Sequence, residues 1–544
     1  MRVAEAVGQA LAQLGVRDCF GLVGSGNFHL VNAMTANGVR FVPARHETGA
    51  VTMADAYARA SRRLGVCSVH QGPGVTNTLT GLTEAAKSRT PMLLLAAEAM
   101  APLSNFFIDS AGLARVSGAR HMRLSAADAA VAAVAGAARI AVADRTPVLL
   151  SLPLEVQALD CEPPKGLIEP VAPRYPPAPA EEVEALARLL ASAKKPLLLA
   201  GRGAVLSGAR NQLENLAEQT GALLATSAVG YGLFAGNPWY LGISGGFSSP
   251  AAAEMIADSD VVVAFGASLN MWTTRRGNLI GLSTKVAQVD LDTAALAAHR
   301  RVDLALAGDA AATAQAVSVA LGKHHSRGWR TDQVAERIRR GGWREQAFED
   351  MSGDGRIDPR TLSIALHAML PRERTLAVDS GHFMAWAPMY MDVPDGGSFV
   401  FTQSFQSIGL GLATGLGAAI ARPDRLSVIA LGDGGALMGL PELETLGRLR
   451  LDALVVIYND ASYAAEVHHF APEGARMDSV RFPDTDFAAL ARALGIEGVT
   501  VRSLADLESV RAWLDRGRAR PLLVDAKVVP TVVGDWLEEA FRGH

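Results

Sequence analysis

The sequence repeats one pattern three times over: short apolar runs, each followed by a Gly-rich turn and a helical segment. Nine such runs read as strands, among them GVCSVHQGPG at 65–74, KPLLLAGRGA at 195–204 and RLSVIALGDGG at 425–435. One apolar run alone fits a buried helix equally well, but nine in one rhythm favour strands alternating with helices. We therefore predict an α/β fold of doubly wound parallel sheets, with ligands at the carboxyl ends of the strands.

Two segments divide the chain into three blocks. Residues 160–182 contain seven prolines, and residues 321–358 are polar and rich in Arg, Gly and His. Prolines disfavour helices and central strands, and the second segment separates two apolar regions, so we interpret both segments as linkers. This predicts domains at 1–160, 183–322 and 356–535, each of a size typical for one domain.

Composition excludes several classes of protein. Of the 544 residues, 49% are hydrophobic and 19% charged, which excludes a disordered chain. The net charge is −4 without a basic block, so we expect no nucleic acid partner. No apolar run approaches the length of a membrane span, and the N-terminus does not read as a signal peptide. We expect a cytoplasmic protein without a membrane partner.

The third block places two carboxylates at the ends of two predicted strands. One strand runs into Gly432-Asp433-Gly434-Gly435, and the next ends at Asn459-Asp460, 27 residues after Asp433. This spacing holds one crossover, so both carboxylates emerge at one edge of a parallel sheet. Mg²⁺ commonly takes one or two carboxylates together with phosphate oxygens. A GDG alone is explained equally well by a turn, but the pair favours a metal site.

This pair of motifs resembles the diphosphate–metal signature of thiamine diphosphate enzymes, in particular the acetolactate synthase-like and 2-oxo acid decarboxylase group. The resemblance covers nearly the whole chain and implies a pyrimidine-binding, a middle and a diphosphate-binding domain, in that order. It implies thiamine diphosphate and Mg²⁺ as cofactors, with the metal on Asp433, Asp460 and the backbone carbonyl of Ser462. The family pattern usually ends in Asn-Asn, so Asp460 is a departure that adds one negative charge.

The first block carries two further segments similar to that family. Arg45-His46-Glu47 resembles the segment of the activating glutamate, whose carboxyl group would act on the aminopyrimidine ring in a dry cleft. The alternative is that Glu47 simply opens a helix, where an acid suits the dipole. The segment from His70 to Asn77 resembles the GPGxxN loop beside the active site. Here we expect Thr76 or Asn77 to cap a helix, and His70 is either a proton-transfer group or structural.

The resemblance implies roles for a larger set of residues. Ile408 occupies the position of the apolar wedge under the cofactor, although core packing would explain it as well. Glu466 matches a glutamate that some 2-oxo acid decarboxylases use for protonation, although a solvated helix face competes. The implied catalytic residues are Glu47, His70, Gln71 and Glu466. The implied cofactor-binding residues are Gly24, Gly72, Pro73, Asn77, Gly381, His382, Phe383, Gln406, Ile408, Gly432, Asp433, Gly434, Gly435, Asp460, Ser462 and Tyr463.

The middle block gives weaker signals. Gly201-Arg202-Gly203 after a strand fits a phosphate-binding turn, but so short a motif has low specificity. The stretch that holds FAD in acetolactate synthases is absent after the strand DVVVAFGAS. FAD is therefore a doubtful cofactor, and a purely structural role for this domain stays open.

The resemblance implies an enzyme that decarboxylates a small-molecule 2-oxo acid. It then releases an aldehyde or transfers the remaining unit to a second carbonyl, and the sequence leaves both outcomes open. In the family the activating glutamate acts across a subunit interface, so a homodimer or homotetramer is expected. One alternative is a nicotinamide dehydrogenase, which the lack of a GxGxxG fingerprint disfavours. The other, prompted by Asp460, is a catalytically silent paralogue that acts as a binding or structural subunit.

Overall fold

Three six-stranded sheets, each wholly parallel, form the framework of the chain. They are seen in a computed structural model that describes residues 1–163 and 175–537. Residues 164–174, in the middle of the first predicted linker, lie outside the described residues. The nine runs predicted as strands are all strands, so the predicted α/β class with three doubly wound sheets is confirmed. The domain boundaries given above stay a prediction.

The first sheet has the order β2-β1-β3-β4-β6-β5. Its strands are β1 (Asp18–Gly21), β2 (Arg40–Pro43), β3 (Gly65–Val69), β4 (Met92–Glu98), β5 (Arg120–Arg123) and β6 (Pro147–Pro153). Its helices are α1 (Val3–Gln13), α2 (Phe28–Ala36), α3 (Glu47–Ser61), α4 (Pro73–Thr76), α5 (Leu79–Lys87), α6 (Ser110–Ser117), α7 (Ala130–Ala143) and α8 (Leu154–Gln157). The central strands β3, β4 and β6 are buried along their whole length, because helices cover both faces of the sheet.

The middle sheet has a different order, β12-β11-β10-β7-β8-β9. Its strands are β7 (Pro196–Ala200), β8 (Leu223–Thr226), β9 (Tyr240–Ile243), β10 (Val261–Phe265), β11 (Lys285–Asp290) and β12 (Leu304–Ala307). Its helices are α9 (Ala180–Ser192), α10 (Arg202–Leu206), α11 (Arg210–Thr220), α12 (Pro250–Ala257), α13 (Met271–Thr274) and α14 (Ala310–Leu321), and α15 (Asp332–Arg340) follows. This is the 3-2-1-4-5-6 strand order known from dinucleotide-binding domains.

The third sheet, β14-β13-β15-β16-β18-β17, repeats the order of the first. Its strands are β13 (Arg374–Val378), β14 (Phe399–Phe401), β15 (Leu426–Gly432), β16 (Ala453–Asn459), β17 (Glu497–Val501) and β18 (Leu522–Lys527). Its helices are α16 (Pro359–Met369), α17 (Trp386–Tyr390), α18 (Gly411–Ala421), α19 (Asp433–Met438), α20 (Pro441–Leu449), α21 (Ala464–Phe470), α22 (Phe487–Ala493) and α23 (Glu508–Asp515). Short 3-10 turns lie at Ala127–Ala129, Ala228–Gly230, Thr293–Ala295, Trp343–Glu345, His382–Ala385, Ala471–Glu473 and Leu504–Leu507.

The first and third domains share one hydrophobic core through the helix pair α3 and α18. A single cluster of buried side chains contains Phe20 and Met53 from the first domain together with Leu416 and Ile429 from the third. The helices approach closely because Gly417 of α18 faces the backbone carbonyl of Met53, where a Cβ atom would overlap it. The two domains therefore form one packed body.

The second predicted linker is not a free connection. Trp329 is buried and its Nε1 donates to the carbonyl of Pro196 at 3.1 Å. Arg330 donates to the carbonyl of Ala222 at 2.8 Å. This part of residues 321–358 packs back on the middle domain because its few aromatic and long side chains cover the amino ends of β7 and β8. Within the described residues, no helix is long and apolar enough to cross a membrane.

Candidate active site

A large cavity of about 2190 Å³ opens at the carboxyl edge of the third sheet. Parallel sheets bind ligands at this edge, at the point where the strand order reverses, here between β13 and β15. All predicted site residues of the third domain line this cavity: Gly381, His382, Phe383, Gln406, Ile408, Gly432, Asp433, Gly434, Gly435, Asp460, Ser462, Tyr463 and Glu466. Side chains of the other two domains complete its wall, among them Arg89 and Trp272. The topology therefore brings these thirteen residues to one place.

Asp433 and Asp460 lie side by side at the ends of the neighbouring strands β15 and β16. Asp433 is 8% exposed, and burial together with the charge of Asp460 raises its pKa to about 7. Burial also raises the pKa of Asp460 to about 6. Two carboxylates held this way repel each other, which costs free energy. A bound divalent cation would attract both and so remove this repulsion.

The loop after β16 is fixed by hydrogen bonds of its own. Asp460 Oδ1 accepts from the Ser462 backbone N at 3.1 Å and from Ser462 Oγ at 2.9 Å. Between them Ala461 has φ 60°, a left-handed conformation that is strained for a residue with a side chain. Asn459 donates to Asp525 Oδ1 at 2.9 Å and so anchors the start of the loop. The left-handed conformation of Ala461 lets the loop turn back so that Ser462 bonds to the side chain of Asp460.

Two glycines make room around Asp433. A Cβ atom on Gly434 would overlap the ring of Tyr463, and one on Gly435 would overlap the carboxylate of Asp379. Helix α19 begins at Asp433, and the first N–H groups of a helix have no partner within it. The site thus presents backbone donors beside two carboxylates, an arrangement suited to a phosphate group bridged by a metal ion.

Asp379 is a buried acid that the sequence analysis did not single out. It follows β13, and its carboxylate accepts from the backbone N of Ser380 at 2.9 Å and of Gly409 at 3.0 Å. Burial raises its pKa to about 6, although these hydrogen bonds oppose the shift. The sequence does carry a signal for Asp379: it is an ionisable residue directly after an apolar strand, at the point where the strand order reverses. Asp379 fixes the end of the loop that carries Ile408.

His382 is held in a single orientation. Its Nε2 accepts from the backbone N of Gly534 at 3.0 Å, which places the ring proton of the neutral imidazole on Nδ1. Burial, with the neighbouring His468 as a smaller cause, lowers its pKa to about 3. Trp536 stacks on the same ring at 6.5 Å between centroids. His382 thus lines the cavity as a neutral imidazole with its ring proton on Nδ1.

The predicted residues of the first domain form a second cluster, at the carboxyl edge of the first sheet. Glu47 Oε2 accepts from Asn77 Nδ2 at 3.0 Å, so these two predicted site residues are in contact. His70 Nδ1 accepts from the backbone N of Gly26 at 3.2 Å, and burial lowers its pKa. The rings of His70 and Phe106 lie 5.3 Å apart, edge to face.

Glycine is required where this cluster is tightest. A Cβ atom on Gly24 would lie 2.7 Å from the His70 ring, and one on Gly26 would overlap Gln71 Oε1. Gln71 is buried, and its Oε1 has no hydrogen-bond partner within the described residues. Gly72 has φ 63° and precedes Pro73, the first residue of α4.

The expectation that Thr76 or Asn77 caps a helix is wrong. Helix α4 begins after Gly72, without a side-chain cap, and ends at Thr76. Thr76 Oγ1 donates backwards to the carbonyl of Pro73 at 3.1 Å. Asn77 follows the helix, and its amide binds Glu47 instead of a helix end. Asn77 is therefore part of the Glu47 cluster.

Within one chain, the Glu47 cluster lies apart from the cavity of the third domain. Among the described residues that line the cavity, none is Glu47, His70, Gln71 or Asn77. Glu47 is only half-buried, so a single chain does not provide the dry cleft expected for it. Apolar side chains stay exposed beside the Glu47 cluster, including Phe28 (50%), Phe106 (42%) and Leu103 (98%).

The Gly-Arg-Gly turn of the middle domain has a structural partner. Arg202 donates to the carbonyl of Ser88 and, at 3.0 Å, to Thr90 Oγ1, both in the first domain. Gly201 and Gly203 pack against the backbone of Gly266, where Cβ atoms would overlap it or come within 2.7 Å. In this turn, the two glycines allow the backbones to pack closely, and Arg202 forms hydrogen bonds between the middle and the first domain.

The residues present fit a metal-bound diphosphate. Burial raises the pKa values of both Asp433 and Asp460, and for Asp433 the charge of Asp460 adds to the shift. The described residues contain no group of three or more His, Cys, Asp or Glu side chains able to hold a metal. The two carboxylates would therefore need oxygens of another kind, which the Ser462 carbonyl and a diphosphate supply.

Comparison with protein families gives three matches in the same order along the chain. The N-terminal TPP binding domain of thiamine pyrophosphate enzymes matches residues 1–109, and their central domain matches residues 183–317. Their C-terminal TPP binding domain matches residues 379–526. The first match includes the Glu47 cluster and the third includes both carboxylates of the cavity.

Curated relatives are similar over nearly their whole length. A sulfoacetaldehyde acetyltransferase of Rhodobacter capsulatus is 29% identical, with 100% of this chain and 96% of the relative covered. The large subunit of acetolactate synthase isozyme 2 from Escherichia coli is 28% identical, with 95% and 93% covered. A sulfoacetaldehyde acetyltransferase of Alcaligenes xylosoxydans xylosoxydans is 27% identical, with 93% and 89% covered.

Proposed function

Since the chain belongs to the family of thiamine pyrophosphate enzymes, we propose that it uses thiamine diphosphate and Mg²⁺ to decarboxylate a 2-oxo acid. The remaining unit is then released as an aldehyde or transferred to a second carbonyl compound. The observation that carries the proposal is the buried pair Asp433 and Asp460 at the switch point of the third sheet. Holding two carboxylates together in this position costs free energy, and binding of a metal ion would offset that cost.

The chain's own residues divide the work of binding. Asp433, Asp460 and the Ser462 carbonyl would hold Mg²⁺, and the backbone of Gly381, Gly434 and Gly435 would meet the diphosphate. When bound, thiamine diphosphate supplies a nucleophilic carbon and an electron sink for decarboxylation. Ile408, 38% exposed on the cavity wall, offers an apolar surface to the cofactor.

Two acids would move protons. The Glu47 carboxyl group, oriented by the Asn77 amide, would hold a proton against the pyrimidine ring. Glu466, in the first turn of α21 on the cavity wall, would deliver a proton to the product. The presence of Glu466 favours release of an aldehyde. The acetolactate synthase among the relatives favours transfer to a second carbonyl.

A second copy of the chain would bring the two clusters together. In one chain the Glu47 cluster and the cavity are separate, and the edge around Glu47 exposes Phe28, Phe106 and Leu103. Burying such an apolar edge is favourable, and it would exclude water from Glu47. We therefore propose a homodimer, or a homotetramer built from it, with active sites between subunits.

Calorimetry on the metal-free protein tests the proposal. Thiamine diphosphate should bind with Mg²⁺ present, and EDTA should weaken binding about 100-fold or more, because the diphosphate would then face two bare carboxylates. A screen of 2-oxo acids for CO₂ release follows on the loaded protein. Binding that is indifferent to EDTA, or no binding by folded protein, would refute the proposal.

Asp460→Asn tests whether the departure at position 460 is compatible with cofactor binding. The amide keeps an oxygen ligand and removes the repulsion between the two carboxylates. We expect thiamine diphosphate affinity within about tenfold of wild type, and a higher melting temperature for the metal-free variant at pH 8. Calorimetry and thermal unfolding measure the two effects. If the variant lost all affinity for thiamine diphosphate, Asp460 would have a different role from the one assigned.

A further inference from the structure

A buried cluster of four charged side chains lies where the three domains meet. This junction cluster consists of Asp55, Arg59 and Glu84 from the first domain and Arg202 from the middle domain. Arg59 pairs with Asp55 at 2.5 Å and with Glu84 at 2.8 Å, and these three side chains are 8%, 1% and 1% exposed. Burial lowers the pKa of Arg202 to about 9, with the charge of Arg59 acting in the same direction. The four formal charges cancel, so the cluster is neutral, and Arg202 lies at its edge, on the wall of the cavity.

The junction cluster also reaches the third domain, at the loop that carries the predicted cofactor contacts. Arg59 Nη1 donates to the carbonyl of Phe401 at 3.0 Å. Glu84 Oε2 accepts from the backbone N of Phe405 at 2.6 Å, while its Oε1 accepts from Arg59. At the other end of the loop, the Gly409 N–H binds the carboxylate of Asp379. The loop from Phe401 to Gly409 is therefore held at its start by Arg59, at Phe405 by Glu84 and at its end by Asp379.

We propose that Glu84 is a positioning residue for the cofactor site: it fixes the backbone of Phe405 and thereby the placement of Gln406 and Ile408. The assignment rests on the proposed function, since these two residues matter as contacts of thiamine diphosphate. It makes a loop of the third domain depend on a side chain of the first domain, 321 residues earlier in the chain.

Among the described residues, the other contacts in the middle of this loop include Lys87 Nζ, 5.7 Å from the centre of the Phe405 ring, and Ser407 Oγ, which donates to the carbonyl of Ile408 at 3.2 Å. Phe405 is 44% exposed and Ile408 is 38% exposed, so packing contributes weakly to their position. Gln406 has φ 60°, a conformation that costs free energy in a residue with a side chain and needs support from its surroundings. The bond to a buried, charged acceptor supplies that support, because hydrogen bonds to charged groups are the stronger ones.

Glu84→Gln removes the support with minimal change of shape. The two groups facing the carboxylate are both donors, so the amide nitrogen of glutamine must face one of them. Either Phe405 N–H or Arg59 then loses its acceptor in a dry place. Asp18→Asn is the matched control. Asp18 is also a buried acid of the first domain paired with an arginine, Arg40, but it lies at the amino edge of the sheet.

Two measurements on the full chain test the proposal. Hydrogen exchange on the cofactor-free protein should show the amide of Phe405 exchanging about tenfold faster or more in Glu84→Gln, and unchanged in Asp18→Asn. Calorimetry with Mg²⁺ should show thiamine diphosphate affinity about tenfold weaker in Glu84→Gln, and within about twofold in Asp18→Asn. Melting temperatures report any general loss of stability, which both variants can share.

The outcomes separate the two proposals. Wild-type exchange at Phe405 in Glu84→Gln would overturn the positioning role, as would equal losses of affinity in both variants. If the wild-type protein itself did not bind thiamine diphosphate, the proposed function would fail, while the exchange data would still decide whether Glu84 holds the loop. Should Glu84→Gln not fold, Glu84→Asp keeps the cluster neutral but is one methylene too short to reach both donors, and the same results are expected of it.

Discussion

Asp433→Asn is expected to abolish productive binding of thiamine diphosphate. Asp433 is the most buried of the predicted metal ligands and sits at the start of α19, beside the Gly434 and Gly435 backbone. Its carboxylate supplies charge that an amide cannot, and Mg²⁺ strongly prefers charged oxygen. We expect the dissociation constant for thiamine diphosphate with Mg²⁺ to rise about 100-fold or more, as measured by calorimetry.

The matched control is Asp452→Asn. Asp452 directly precedes β16 at the amino edge of the same sheet, where it pairs with Arg518. This variant should bind thiamine diphosphate like wild type. Equal affinity in Asp433→Asn and wild type would mean that the metal is held elsewhere. A loss for Asp433→Asn next to retained binding for Asp460→Asn would establish Asp433 as the essential carboxylate of the pair.

Glu47→Gln is expected to bind thiamine diphosphate but turn over poorly. Glutamine keeps the oxygen that accepts from Asn77 Nδ2, so the local geometry survives. It cannot share a proton with the pyrimidine ring, and loss of a general acid–base group costs about 10²- to 10⁴-fold in rate. We expect binding within about threefold of wild type and CO₂ release reduced by at least about 100-fold. Glu444→Gln, which alters the ion pair of Arg45 beside the same loop, should retain turnover.

Mixing two inactive variants tests the subunit arrangement. In a heterodimer of Glu47→Gln and Asp433→Asn, one of the two sites combines the intact Glu47 of one chain with the intact Asp433 of the other. Random exchange of subunits would restore roughly a quarter of wild-type activity. No recovery, despite demonstrated exchange, would place both residues of a site on the same chain and refute an active site between subunits.

Much of the fold was predictable because apolar runs mark central strands. The nine predicted strands have mostly buried residues, such as β4 and β10, although β6, β8 and β18 are wholly buried too and went unpredicted. The strands that went unpredicted include β5 and β17, at the edges of their sheets, where most residues are only half-buried or exposed. Edge strands carry fewer apolar residues, because one side of them meets no neighbouring strand. Their sequences therefore lack the signal.

The site was predictable where it follows a strand, and less so where it depends on distant contacts. Asp433 and Asp460 could be paired because a single crossover separates them. Asp379 follows a strand in the same way and was overlooked. Glu84 lies in the middle of a helix, and its role depends on Phe405, which no local pattern connects to it. The separation of Glu47 from the cavity likewise depends on how whole domains pack.

The shared core of α3 and α18 has a consequence for the synthesis of the chain. The apolar face of α3 is complete once Ser61 has been added, but its cover begins only at Gly411. At about 5–20 residues per second, a ribosome needs roughly 20–70 s for the stretch between them. For that time the nascent first domain exposes part of its core, including Met53 and Ala56. We therefore expect holding chaperones to bind the nascent first domain until α18 has been synthesised.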